Sequence, residues 1–250
     1  MTIQPFEVIN PNGAGPVVIL CEHASPHIPA VYDGLGLAAA DRLSHAAWDP
    51  GALDLARHLS KALDAPVVAS CVSRLVYDCN RPPEAASAMP ERSELIEVPG
   101  NRGLSQADRD GRTQAIYQPF CDAVAQVLDR RGPETVVVTV HSFTPVYFGK
   151  PRAVELGLLH DADSRLADAM LGHAGKLANR KTARNEPYGP ADGVTHSLQL
   201  HAVSRGLANV MIEVRNDLLA TEDMAAGMAL DILALLIPAV NDLNEKETTV

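Results

Sequence analysis

The chain lacks most of what would mark it as a secreted, membrane or nucleic-acid-binding protein. Its four cysteines, Cys21, Cys71, Cys79 and Cys121, include no CxxC pair in 250 residues. Thiols so placed, in a chain with no visible leader, are expected to be reduced, and none is given a metal role. Positive charge is scarce, with 21 Lys and Arg against 31 Asp and Glu and a net charge of −10. Phosphate recognition needs clustered cations, so neither nucleic acid nor an anionic membrane is an expected partner. No run approaches the roughly 18 apolar residues of a membrane span, and none is expected. The opening MTIQPFEVINPNGAG has no basic segment followed by an apolar core, so it does not read as a secretory signal and a cytoplasmic location is expected. These exclusions leave a small molecule as the partner.

The chain does have short apolar runs alternating with amphipathic stretches. PVVILCEH (16–23), APVVASCVSRLVYDCNRPP (65–83), the run from Val136, AVELGLLHD (153–161) and ANVMIEVRNDL (208–218) read as strands. Several are apolar without alternation, as in strands buried on both faces of a helix-covered sheet. DPGALDLARHLSKAL (49–63), residues 107–132, 164–178 and 222–243 have helical periodicity. Residues 84–104, rich in Pro, Gly and charge, read as a long loop, and 179–197 as a polar segment. With no internal repeat and no dividing linker, one α/β domain over 1–250 is expected, with a mostly parallel or mixed central sheet.

Open sheets of this kind bind ligands at the carboxyl ends of their strands. His23, Asn80 with Arg81, His141, and Glu213 with Arg215 stand at such ends. Each has a plain structural alternative: a hydrogen-bonded core histidine, a turn Asn, an ion-paired Arg, or a Glu213–Arg215 pair on one strand face. Arg74 and Asp78 read as an internal pair, and His160 and His201 as residues that could line a pocket. Together, two histidines, a carboxylate and an Asn-Arg pair fit metal-assisted hydrolysis of a carboxylate-bearing substrate. A serine hydrolase using Ser142 is a weaker reading, because no G-x-S-x-G elbow exists and adjacent strand residues face opposite sides.

The motifs HSFTP, IEVRND and YDCNRP resemble pieces of the zinc carboxypeptidase and deacylase superfamily. More closely, EHAS, HAAWDPGA, SRLVYDCNRP, PGNRGL, HSFTP, NEPY and IEVRND, in this order over roughly residues 15 to 220, resemble the N-formylglutamate amidohydrolase family. The resemblance implies a three-layer α/β sandwich of the zinc-exopeptidase or phosphorylase/hydrolase type. It implies zinc held by His23 and His141, Glu213 as general base, and Asn80 with Arg81 recognising an N-acyl amino acid. Where carboxypeptidase-like enzymes carry His-x-x-Glu, this chain has Pro26 three residues after His23. Asp49 is the preferred third ligand, with His27, His45 and Glu22 as alternatives and a helix N-cap as the plain reading of Asp49. The expected activity is zinc-dependent removal of a formyl or other small acyl group from an amino acid such as glutamate. The alternative is a non-catalytic small-molecule binding protein. Acyl group, amino acid and oligomeric state are not legible.

Overall fold

The computed structural model describes residues 3–247, so residues 1–2 and 248–250 of the expected domain lie outside the described residues. In chain order the strands are β1 (Phe6–Ile9), β2 (Val17–Cys21), β3 (Val67–Ser70), β4 (Arg92–Ser93), β5 (Ile96–Glu97), β6 (Val136–Phe143), β7 (Val146–Tyr147), β8 (Lys150–Pro151), β9 (Leu156–Leu159), β10 (Thr182–Arg184) and β11 (Asn209–Arg215). The helices are α1 (Ala39–Arg42), α2 (Ala52–Leu63), α3 (Gln106–Arg112), α4 (Gln118–Leu128), α5 (Arg165–Gly172) and α6 (Glu222–Glu247).

Seven strands form one sheet in the order β1-β3-β2-β6-β11-β9-β10, while β4 with β5 and β7 with β8 form small separate hairpins. The central strands β3, β2, β6 and β11 are mutually parallel. β1 runs antiparallel to β3, and β9 antiparallel to β11. The sheet is therefore mixed with a parallel centre, as the buried runs predict.

Alternation along each central strand feeds two cores. Val17 and Ile19 of β2, with Val136, Val138 and Val140 of β6, pack against α2, α5 and α6. Val18, Leu20 and Val137 face the opposite way, toward α4 and residues 72–79. Helices thus cover both faces, giving the three-layer arrangement. Complete burial of one such Val, Leu or Ile side chain stabilises the fold by about 1.5–3 kcal/mol.

Three sequence expectations are corrected. Residues 65–83 are not all strand: β3 ends at Ser70, and Val72, Leu75, Val76 and Tyr77 bury into the α4 core from a turning segment. An apolar run without alternation reads the same in either setting. β1 lies in what reads as a polar lead. Finally, the α6 segment reaches a mean hydropathy of 1.8 over 18 residues and is long and apolar enough to span a membrane, against the expectation that no stretch would be. Much of that apolarity faces inward, since Met228, Ile232, Leu235, Leu236 and Ala239 are fully buried in the core shared with α2 and α5.

Candidate active site

The parallel strands deliver their chemistry to one edge. β11 pairs with β6 so that Glu213 lies beside His141. Both project from the face opposite to Val140 and Ile212, whose side chains belong to the α2/α5/α6 core. β2 flanks β6 on its other side, and Glu22 and His23 follow directly from its end. Asp49 reaches them from the turn before α2, where its backbone N–H donates to the His23 carbonyl at 2.9 Å. That turn requires Gly51: its φ is +78°, and a Cβ there would lie 2.4 Å from Leu219 Cβ. Gly51, not Asp49, occupies the N-cap of α2, which leaves the Asp49 carboxylate free to face the histidines.

Three donor atoms meet there. Asp49 Oδ2 lies 3.2 Å from His23 Nδ1 and 2.9 Å from His141 Nδ1, and the two ring nitrogens are 3.2 Å apart. All three residues are buried. Two ring nitrogens and a carboxylate oxygen in this triangle are a common donor set, and their spacing suits ligands sharing one ion with bonds of ~2.0–2.1 Å. His23, Asp49 and His141 can therefore hold a metal ion.

The outer ring nitrogens each face an acid. His23 Nε2 lies 2.7 Å from Asp78 Oδ1, and His141 Nε2 lies 3.3 Å from Glu22 Oε2. With His23 Nε2–H donated to Asp78 and the His141 Nε2–H facing the Glu22 charge without a formed hydrogen bond, both Nδ1 lone pairs turn to the same point. Arg74 donates to Asp78 Oδ2 at 3.0 Å and to Asp49 Oδ1 at 3.4 Å. Arg74 and Asp78 are thus a pair, as the sequence suggests, but one built into the wall of the site. Asp78→Asn should weaken metal binding by roughly 10–100-fold, the usual cost of losing an orienting carboxylate behind a histidine ligand. Competition against a chromophoric chelator would measure it, and unchanged affinity would show that His23 needs no such partner.

The buried charges balance one another. Burial alone favours a neutral His141 ring, yet the Glu22 and Asp49 carboxylates raise its pKa well above the ordinary imidazole value. Burial also disfavours ionised Asp49, but His23 and His141 hold its carboxyl below the usual range. Glu213 differs. Burial is the chief cause that pushes its carboxyl up to about 7, with the His141 charge opposing and Asp49 adding to the rise. Its Oε2 has no hydrogen-bond partner among the described residues. Arg215 does not pair with it, turning instead to Asp217 at 2.8 Å.

A cleft of about 410 Å³ opens over this group, within the size range of small-molecule sites. Asn80 and Arg81 line its wall from the turn after residue 78. Both ends of the Asn80 amide are engaged: Nδ2 donates to the Val194 carbonyl at 2.6 Å, and Oδ1 accepts from Ser197 N–H at 2.9 Å. Arg81 Nη1 donates to the Asn80 and Gly193 carbonyls. Nε and Nη2 of Arg81 have no hydrogen-bond partner among the described residues.

The alternatives for a third ligand lie elsewhere. His27 is exposed, His45 Nε2 lies 2.7 Å from Glu94 Oε1 at the rim, and Glu22 stands behind His141. His160 and His201 do not line the cleft. Ser142 donates through Oγ to the Pro50 carbonyl at 2.9 Å, so it is not paired with His141 as a nucleophile. The sequence reading did not single out Asp78 as the partner of His23 or Tyr147 and Tyr188 as cleft residues. Asp78 had a signal, since a metal-binding histidine is expected to have a carboxylate partner and YDCNRP supplies one.

With this geometry in place, the model of the N-formylglutamate amidohydrolase family matches residues 15–220. The chain belongs to that family. A crystallised gene product of Agrobacterium tumefaciens is 52% identical to it, with a TM-score of 0.93 and 96% of each chain covered. The crystal structure of N-formylglutamate amidohydrolase from Ralstonia eutropha JMP134 is 18% identical, with a TM-score of 0.73, 98% of this chain and 100% of that chain covered. This second likeness is one of fold. No curated protein matches the chain. The motifs SRLVYDCNRP, HSFTP and IEVRND, which carry Asn80, Arg81, His141 and Glu213, all fall inside the matched span. Membership places the chain among amidohydrolases.

Proposed function

We propose that the protein is a zinc-dependent amidohydrolase that removes a formyl or similarly small acyl group from the nitrogen of an amino acid, N-formylglutamate being the substrate the family's name suggests. The observation that carries the metal reading is the His23–Asp49–His141 triangle beneath a cleft with a buried, unpartnered Glu213 oxygen. His23, Asp49 and His141 are the proposed ligands. Zinc held there would supply a Lewis acid for the acyl carbonyl and lower the pKa of water.

The remaining chemistry belongs to the chain. Glu213 accepts a proton from the attacking water and returns it to the departing amine nitrogen. A divalent cation held by His23, Asp49 and His141 would favour its ionised form and offset the burial that raises its pKa. Arg81 meets the substrate carboxylate with its free edge and so fixes the amide over Glu213. Asn80 acts by holding the 194–197 backbone that forms the adjoining wall.

Metal analysis combined with a screen of N-formyl and N-acetyl amino acids tests the whole reading. A protein that binds zinc and hydrolyses at least one of them supports it; a metal-free protein that binds such compounds without turnover would instead be a binding module. Arg81→Lys tests the carboxylate contact, because an ammonium keeps the charge but loses the planar fork. A fall in kcat/KM of about 10-fold or more is expected for carboxylate substrates, with a much smaller one for their amides, since a charged hydrogen bond is worth about 1.5–3 kcal/mol. Equal losses on both would give Arg81 a purely structural role.

A further inference from the structure

One cleft side chain has surroundings that leave its proton a single free direction. The Tyr188 hydroxyl accepts a hydrogen bond from Arg152 Nη2 at 2.9 Å. Arg152 is itself fixed, with its guanidinium 4.2 Å from the Tyr147 ring centroid, 4.9 Å from Tyr188 and 5.4 Å from Phe143. A guanidinium only donates, so the hydroxyl meets Arg152 through its oxygen and must direct its own O–H elsewhere. No acceptor among the described residues takes that proton, and Tyr188 lines the cleft together with Glu213. Burial, followed by the Glu213 charge, raises the phenol pKa to about 12, so it is protonated at neutral pH. A cation behind the oxygen strengthens the group as a donor.

We propose that Tyr188 is a catalytic residue that donates its O–H to the acyl oxygen of the substrate as that oxygen gains negative charge, and that Arg152 is a positioning residue acting through it. The proposal rests on the amidohydrolase reading. Water oxygen bonds to the acyl carbon while the carbonyl electron pair moves onto oxygen, and Glu213 takes the water proton. The pair then returns, the C–N bond breaks, and the proton passes to the amine nitrogen. Tyr188 loses no proton in this sequence. Its hydrogen bond is strongest while the oxygen is charged, which accelerates the step without tightening substrate binding. Tyr188 and Glu213, the proposed base, line the same cleft, so the donor and the base can act on one bound amide.

The test compares metal-loaded wild type, Tyr188→Phe, Arg152→Gln and the double variant on the best N-formyl amino acid. Tyr188→Phe should lower kcat by roughly 10²–10³-fold, the usual cost of one oxyanion donor, while KM, metal content and Tm stay near wild type. Arg152→Gln should lose less, and the double variant no more than Tyr188→Phe alone. The tyrosine that titrates in wild type but not in Tyr188→Phe, followed by ultraviolet difference spectra, should ionise at higher pH in Arg152→Gln. If Arg152→Gln does not fold, Arg152→Met, which keeps packing against the aromatic rings but removes the charge, serves in its place.

A Tyr188→Phe kcat within about threefold of wild type, far short of the donor's usual effect, overturns the proposal alone. So does a change confined to KM, which would place Tyr188 on the bound substrate rather than on the developing charge. Additive losses, or an unmoved tyrosine titration, remove Arg152 from its role. Metal-loaded wild type inactive on every N-acyl amino acid overturns the amidohydrolase reading and this proposal with it.

Discussion

Glu213→Gln should yield a folded, metal-loaded protein whose turnover of N-formyl amino acids is lower by roughly 10²–10⁴-fold, the range typical of positioned acid–base catalysis. The substitution keeps the size of the side chain while removing the proton acceptor. Strand register holds residue 213 beside His141 whatever its side chain, because the pairing is made by backbone groups from Asn209 to Arg215. The fold has little reason to fail, since Oε2 has no hydrogen-bond partner to lose among the described residues. Burial disfavours the ionised carboxylate, so a neutral amide removes that cost. Metal content, Tm and turnover measured on one preparation separate the outcomes. Near-normal turnover with metal bound would eliminate Glu213 as the base, and loss of metal together with fold would make it a ligand or a structural acid.

Asp49→Ala should have the second large effect, on metal and stability together. Asp49 Oδ2 is the acceptor nearest to both Nδ1 atoms and also accepts from Ser142 N–H at 3.3 Å, while Oδ1 faces Arg74. Removing it deletes one corner of the proposed ligand triangle, so zinc retention through desalting should be lost and activity with it. In the metal-free protein the cost should be about 3–5 kcal/mol, because a buried His141 cation and Arg74 lose their shared partner. Denaturant unfolding of both metal-free proteins would measure this. The sign with pH follows from the raised His141 value. The contribution is complete below the ordinary imidazole pKa of about 6.5 and disappears as pH rises through the elevated folded-state value. Full zinc retention in a folded Asp49→Ala protein would transfer the ligand role to His27, His45 or Glu22.

The assembly of the site has one physical basis. Parallel strands end together, so residues far apart in the chain, such as His23, His141 and Glu213, meet at one edge without any local signal joining them. The turn through Gly51 brings Asp49 to the same edge. The outer cleft walls are made otherwise: Arg92, Ser93 and Glu94 come from the β4–β5 hairpin inside the long 84–104 loop, and Tyr147 from the β7–β8 hairpin.

By itself the sequence determined the layered α/β class, because unalternated β-branched runs such as Val136–Val140 alternate with helical stretches, the pattern of a helix-covered sheet. Through ordered motifs it also determined the family, matched over residues 15–220. It pointed to His23 and His141 through their strand-end positions and the family resemblance, and to Asp49 in preference to His27, His45 and Glu22; His23, Asp49 and His141 meet in the donor triangle. It could not decide what stands behind those residues. Whether Asp78 or Arg215 pairs with a site residue depends on where a turn points and which way a long side chain swings, and neither leaves a periodic trace. Residues 71–83 make the point: their apolar pattern suits a strand, yet the turn after Ser70 buries Leu75 and Tyr77 in the α4 core and so sets Asp78 2.7 Å from His23. Tyr188 reaches the cleft wall by a loop, and Arg152 meets its hydroxyl from the segment just after the β7–β8 hairpin. Such contacts arise from packing between segments distant in the chain, where only tertiary structure sets the distance.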